Sequence, residues 1–244
     1  MAKQDGMIPI IVPIDNFSPL GHSAPNKPGP TRKAVLQDEN FERTRENAAE
    51  FKTAVAVATL VRRSLRPILI ASTNVYLNGR MNALLLKAVQ SDRIHFRGKR
   101  VMLPAALSIL KGFEINANNP ISKRKGVSYK TKKNVRKGII QLTIPSFIPK
   151  TALTPPDGAT HFQIVTISAS INFKKNTFSN DWQPSSLSAI SRRKTAPLTF
   201  QHPIAAKADE AHLLTVGIAF FKMVDGLEKL LKGGAAKIVE AGEM

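Results

Sequence analysis

The feature that most limits the fold of this chain is a change of hydrophobic period near Phe113. Before that point apolar residues recur every three to four positions. After it they come in short β-branched runs separated by Pro, Gly and Ser. The first spacing marks helices with one buried face, and the second marks strands. Helices gathered ahead of strands imply an α+β fold rather than alternating βαβ units.

The helical part opens at Asp38 or Asn40, either able to cap, with Glu39 and Glu42 in the electropositive first turn. Phe51, Val55, Ala58, Val61 or Arg62, and Leu65 carry the three-to-four spacing, and Arg66-Pro67 is expected to end the helix. A second helix is predicted from Asn78 to Gln90 on the stripe Met81, Leu84, Leu85, Ala88 and Val89. A third, short one runs near Met102 to Lys111, with Gly112 as its cap. Strands are predicted at Gly138 to Ile144, His161 to Phe173, Leu213 to Met223 and Ala235 to Val239. Val224-Asp225-Gly226 reads as a hairpin turn, and Gly233-Gly234 as another turn. An antiparallel, sandwich-like C-terminal half follows.

Residues 1–36 hold Pro9, Pro13, Pro19, Pro25, Pro28 and Pro30, so they are expected to form an extended arm. The expected organisation is therefore an arm over 1–36, a helical region over 37–112, and a β-rich domain over 113–244 with a basic loop at 122–138.

Charge bears on partners rather than on the fold. The formal net charge is +19, and residues 51–150 hold 20 Lys and Arg against two acids, Asp92 and Glu114. Two clusters dominate. Lys123, Arg124, Lys125, Lys130, Lys132, Lys133, Arg136 and Lys137 lie between Ser122 and Gly138, whose glycines frame a loop or hairpin. Arg93, Arg97, Lys99 and Arg100 interleave with His95 and Phe96, two flat rings on which bases could stack. Arg62, Arg63 and Arg66 extend the basic field.

Such clusters bind phosphate backbones by releasing counterions. A basic loop can equally be a solvated surface or meet a membrane. The counter-charge must lie outside the segment. It is either a polyanion or the acidic turn Glu39, Glu42, Glu46 and Glu50, from this chain or a neighbouring copy. Nucleic acid is favoured, because so few acids cannot offset so many cations. Trp182 is expected to pack a loop on the core, with Arg192, Arg193 and Lys194 solvated beside it. His161 is read as a half-buried sheet residue.

The blocks Phe41-Glu42-Arg43-Thr44-Arg45-Glu46-Asn47-Ala48-Ala49-Glu50-Phe51 and Ser64-Leu65-Arg66-Pro67, with the start from Met1 to Ile8, resemble a group of uncharacterised Bacteroidetes proteins. Ala159-Thr160-His161-Phe162-Gln163-Ile164-Val165 and Val216-Gly217-Ile218 are similar to the group's β-rich half. The likeness touches about a fifth of the chain and implies chain organisation without an activity. The Pro-rich arm and the weight of Lys and Arg after Ser122 depart from the group's pattern.

The chemistry of an enzyme is thinly represented. There is no cysteine, the five histidines lack metal-ligand spacing, and no phosphate-cradling glycine motif or nucleophile elbow occurs. No catalytic residue, metal or cofactor is expected. The apolar run from Leu213 to Phe221 is shorter than the ~20 residues of a membrane helix. Pro9 and Pro13 break the only leader-like stretch, so cytoplasmic synthesis without a signal peptide is expected.

The function expected is that of a non-enzymatic structural protein which self-assembles and binds DNA or RNA through a basic surface, as a coat, filament or condensing subunit. The alternatives are an RNA-binding or ribosome-associated protein without self-assembly, and an assembly protein without nucleic acid.

Overall fold

The computed structural model describes residues 29–72, 74–121, 127–204 and 209–243. The chain divides into two units, Met1–Phe41 and Glu42–Met244.

In the first unit the expected arm lies mostly outside the described residues. Its last part is not extended: α1 spans Arg32–Gln37. Pro30 is the last proline before Pro67, and Thr31 caps the helix, its hydroxyl accepting from the Ala34 N–H at 3.2 Å. A 3-10 turn, Glu39–Phe41, follows, with the Asp38 carboxylate accepting from the Asn40 N–H.

The second unit is α+β and has three layers. Helices α2 (Glu42–Ser64), α3 (Arg66–Ser72) and α4 (Leu77–Gln90) and a 3-10 helix (Pro104–Leu110) form the first. Arg66-Pro67 closes α2 at Ser64, as expected, but α3 begins at once, with Pro67 in its first turn, where the missing N–H costs no hydrogen bond. The third helix is present as 3-10 rather than α.

The middle layer is an antiparallel sheet in the order β4 (Thr177–Pro184), β3 (His161–Asn172), β7 (Glu210–Val224) and β8 (Leu227–Gly242), with the short β5 (Ser188–Ala189) also on β3. The third layer is the antiparallel sheet β1 (Lys130–Asn134), β2 (Ile139–Ile144) and β6 (Leu198–Pro203). A single helical turn, α5 (Pro149–Ala152), links β2 to β3.

Alternation along the central strands builds two cores. Val165, Ile167, Ala169 and Ile171 of β3 pack with the helices, while Phe162 and Ile164 pack with Ile140, Leu142 and Ile144 of β2. On β7, Leu213 and Ala219 face the helices, and Leu214, Val216, Ile218 and Phe220 face the second sheet. Ala211 to Phe220 is therefore buried throughout, as a strand covered on both faces must be.

The β7–β8 hairpin turns at Asp225 and Gly226, both at positive φ, as a two-residue turn of this twist requires. Gly233-Gly234, expected to turn, lies inside β8 instead. A Cβ on Gly234 would meet Ile218 O at 2.6 Å and Ala71 O at 2.9 Å, so glycine here permits the close approach of α3 to the sheet. Trp182 also departs from expectation. It stands half exposed on β4, an outer strand.

Candidate nucleic-acid interface

The described part of the larger basic cluster, residues 130–137, folds as a hairpin whose two faces have different fates. β1 pairs with β2 in the register Lys130↔Thr143 to Asn134↔Ile139, so Lys130 and Lys132 share one face and Thr131 and Lys133 the other. The second face meets the edge of β8. There Glu240 accepts from the Thr131 hydroxyl at 2.8 Å and from Lys111 Nζ at 2.9 Å, with Lys133 Nζ at 3.8 Å. Partial burial works to raise the Glu240 carboxyl, but the Lys111 and Thr131 hydrogen bonds and the two lysine charges hold it below its usual value.

Lys130 and Lys132 point outward, exposed, and Arg136 and Lys137 are exposed at the turn. None of these four has a carboxylate within ion-pair reach among the described residues. Lys123, Arg124 and Lys125 lie outside the described residues.

The smaller cluster is a loop organised by a buried carboxylate. Asp92 is fully buried, and its Oδ1 accepts from the N–H of Ile94 at 2.8 Å and of His95 at 3.3 Å. Its Oδ2 takes the Val101 N–H at 3.0 Å and lies 2.7 Å from His95 Nδ1. Burial alone would raise this carboxyl, yet the backbone bonds from Val101 and Ile94 and the His95 contacts hold it far below the usual range. The loop so tied displays Ile94 and Phe96, 77% and 87% exposed, an unusual cost for apolar side chains on a well-anchored loop.

Its cations divide in turn. Arg97 bonds Asn47 at 2.7 Å and lies 3.5 Å from Glu46. Arg100 meets the buried Glu50 at 3.3 Å, which also accepts from the Gly98 N–H and from Gln90. Arg93 and Lys99 are exposed with no such partner among the described residues.

The acidic turn of α2 thus supplies part of the counter-charge from within the chain, at Glu46 and Glu50. Lys133, Arg97 and Arg100 are less available to a polyanion than their sequence neighbourhood suggests. The two clusters also belong to different layers: the loop packs on α2 in the helical layer, and the hairpin lies in the sheet covering the opposite face of the middle layer. Arg62 is engaged with Asn82 and Thr59, and Arg63 stands over the Phe178 ring. Arg192, Arg193 and Lys194 are exposed.

Sequence reading missed a polar set, buried at His202 and Thr166, at the far edge of the two sheets. His202 of β6 is fully buried, with Nδ1 2.7 Å from Asp181 Oδ2 on β4 and Nε2 2.9 Å from Thr166 Oγ1 on β3. Burial lowers the His202 pKa, and Asp181 opposes this only in part. The order resembles a hydrolase relay, but Thr166 is 0% exposed and offers a substrate no approach. The set pins one sheet to the other, as Thr131, Lys133 and Glu240 do at the opposite edge. No local signal could have revealed it, because its three members come from three separate strands.

No family model matches the chain, and neither a curated protein nor a solved structure matches it.

Proposed function

We propose that this protein is a non-enzymatic structural subunit that binds nucleic acid through backbone phosphates and associates with copies of itself. The observation that carries the reading is the outer face and tip of the β1–β2 hairpin. Lys130, Lys132, Arg136 and Lys137 are exposed there with no acidic partner among the described residues. Phosphate rewards such an array without needing a shaped pocket, and it gives little base preference. The anchored loop adds Arg93 and Lys99 beside Phe96, a ring free to stack on an unpaired base.

Self-association is supported by open strand edges. Residues 112–115 cover β8 only around Ala236 to Ile238. Residues 227–232 have no further strand beside them among the described residues, and Leu227 and Leu230 are exposed. An edge of this kind can accept a strand from a second copy.

Four phosphate contacts give a slope of log affinity against log salt of about −3.6 on duplex DNA. Fluorescence anisotropy of labelled oligonucleotides between low and moderate salt measures it. Replacing Lys130, Lys132, Arg136 and Lys137 with Gln should remove most of that slope; an unchanged slope places the interface elsewhere. Light scattering across concentration tests association, and a monomer throughout leaves nucleic-acid binding alone.

A further inference from the structure

A second feature is independent of the basic hairpin. α2, the loop ending in residues 98–104 and the β3–β4 turn enclose a cleft of about 810 Å³. Its walls are apolar: Ala56, Val57 and Leu60 from α2, Met102 and Leu103 from the loop, and Phe173 from the turn. This is the size and lining of a small-molecule site, which typically adds a few polar groups at its mouth.

Those groups are cationic. Lys52 and Lys99 line the cleft with no carboxylate in ion-pair reach among the described residues. Lys174 is balanced by Asp209 at 2.8 Å, and Arg100 by Glu50. The cleft therefore pairs an apolar interior with an uncompensated positive mouth. A cationic or purely apolar ligand would leave that charge unanswered, and an extended polyanion would leave the walls wet.

We propose that this cleft binds an amphipathic carboxylate, an alkyl chain lying on Val57, Leu60, Met102 and Phe173 with its head group at Lys52 and Lys99. The chain supplies apolar burial, and the carboxylate answers the two lysine charges.

Decanoate and 1-decanol, each below its aggregation limit, are the probes, followed by isothermal titration calorimetry on the full chain. Decanoate should saturate at one site per chain and bind about fivefold tighter than the alcohol, the scale of two partly exposed ion pairs. The double variant Lys52→Gln, Lys99→Gln should bring the two ligands level. Ala56→Trp fills the cleft from an exposed helix position and should abolish both.

Absence of saturable binding overturns the proposal. So does decanoate binding that survives Ala56→Trp, which would mark non-specific attraction to a basic surface. The hairpin variant of Lys130, Lys132, Arg136 and Lys137 should bind decanoate normally, so failure of the nucleic-acid reading and failure of this one are read separately.

Discussion

Removing the Asp92 carboxylate should destabilise the fold by an amount the loop geometry allows to be worked out. Two short backbone bonds, from Ile94 at 2.8 Å and Val101 at 3.0 Å, end on a charged acceptor. Each such bond contributes about 1.5 kcal/mol at the low end of its range, suited to a loop partly open to water. The His95 ring is 45% exposed, so its contact adds only about 0.5 kcal/mol. Asp92→Ala should therefore cost about 3–4 kcal/mol, a large share of the ~5–15 kcal/mol that holds a typical domain together.

Asp92→Asn separates the two sides of the carboxylate. The amide oxygen can serve either the Ile94 and His95 N–H groups or the Val101 N–H, but the NH2 group facing the other side cannot accept. About half the loss, roughly 2 kcal/mol, should follow. Urea denaturation followed by circular dichroism measures both, provided the slope of the transition is unchanged. A loss below about 1 kcal/mol for Asp92→Ala would refute the claim that this carboxylate organises the loop.

The pH dependence has a definite sign. The folded carboxyl titrates below its ordinary 3.8, so its stabilisation is complete above that pH and is lost as pH falls beneath it. The gap between wild type and Asp92→Ala should narrow in acid.

His202 predicts a second pH effect in a different window. Its folded pKa lies below the ordinary 6.5, so stability is full above that pH and falls as acid protonates the unfolded chain preferentially. Urea midpoints at pH 7.5 and 5 should differ more in wild type than in His202→Gln; equal differences would remove His202 as the cause. Gly234→Ala should cost about 3 kcal/mol, because the new methyl meets two backbone oxygens that cannot rotate away. A thermal midpoint equal to wild type would show that α3 and β8 have room to part.

Elements with one strong, local reason to exist are legible in the sequence. The start of α4 is readable to within one residue, because Met81, Leu85, Ala88 and Val89 form its buried stripe and nothing beyond the helix alters that spacing. β3 and β7 are legible for a related reason: central strands buried on both faces must be apolar along their length. β4 and β6 leave no such signal. TFSNDWQP and LTFQHP sit at sheet edges, where one side faces water and polar residues are tolerated, so only their neighbours make them strands. β1 reads no more sharply than a loop or hairpin for the same reason, since KTKKN carries no apolar pattern.

The candidate interface divides along the same line. The sequence alone determined that the positive charge is concentrated in residues 51–150, and the proposed polyanion partner rests on that concentration. Which cations remain free to meet one was decided only by folding. Arg97 and Arg100 find Asn47, Glu46 and Glu50 about 50 residues back along the chain, and Lys133 finds Glu240 from the last strand. Charge is additive along a sequence, whereas ion pairing depends on separation in space, and the stacking of three layers sets those separations. Lys130, Lys132, Arg136 and Lys137 are left outward because the pleat of β1 and the turn after it aim them away from every acid among the described residues.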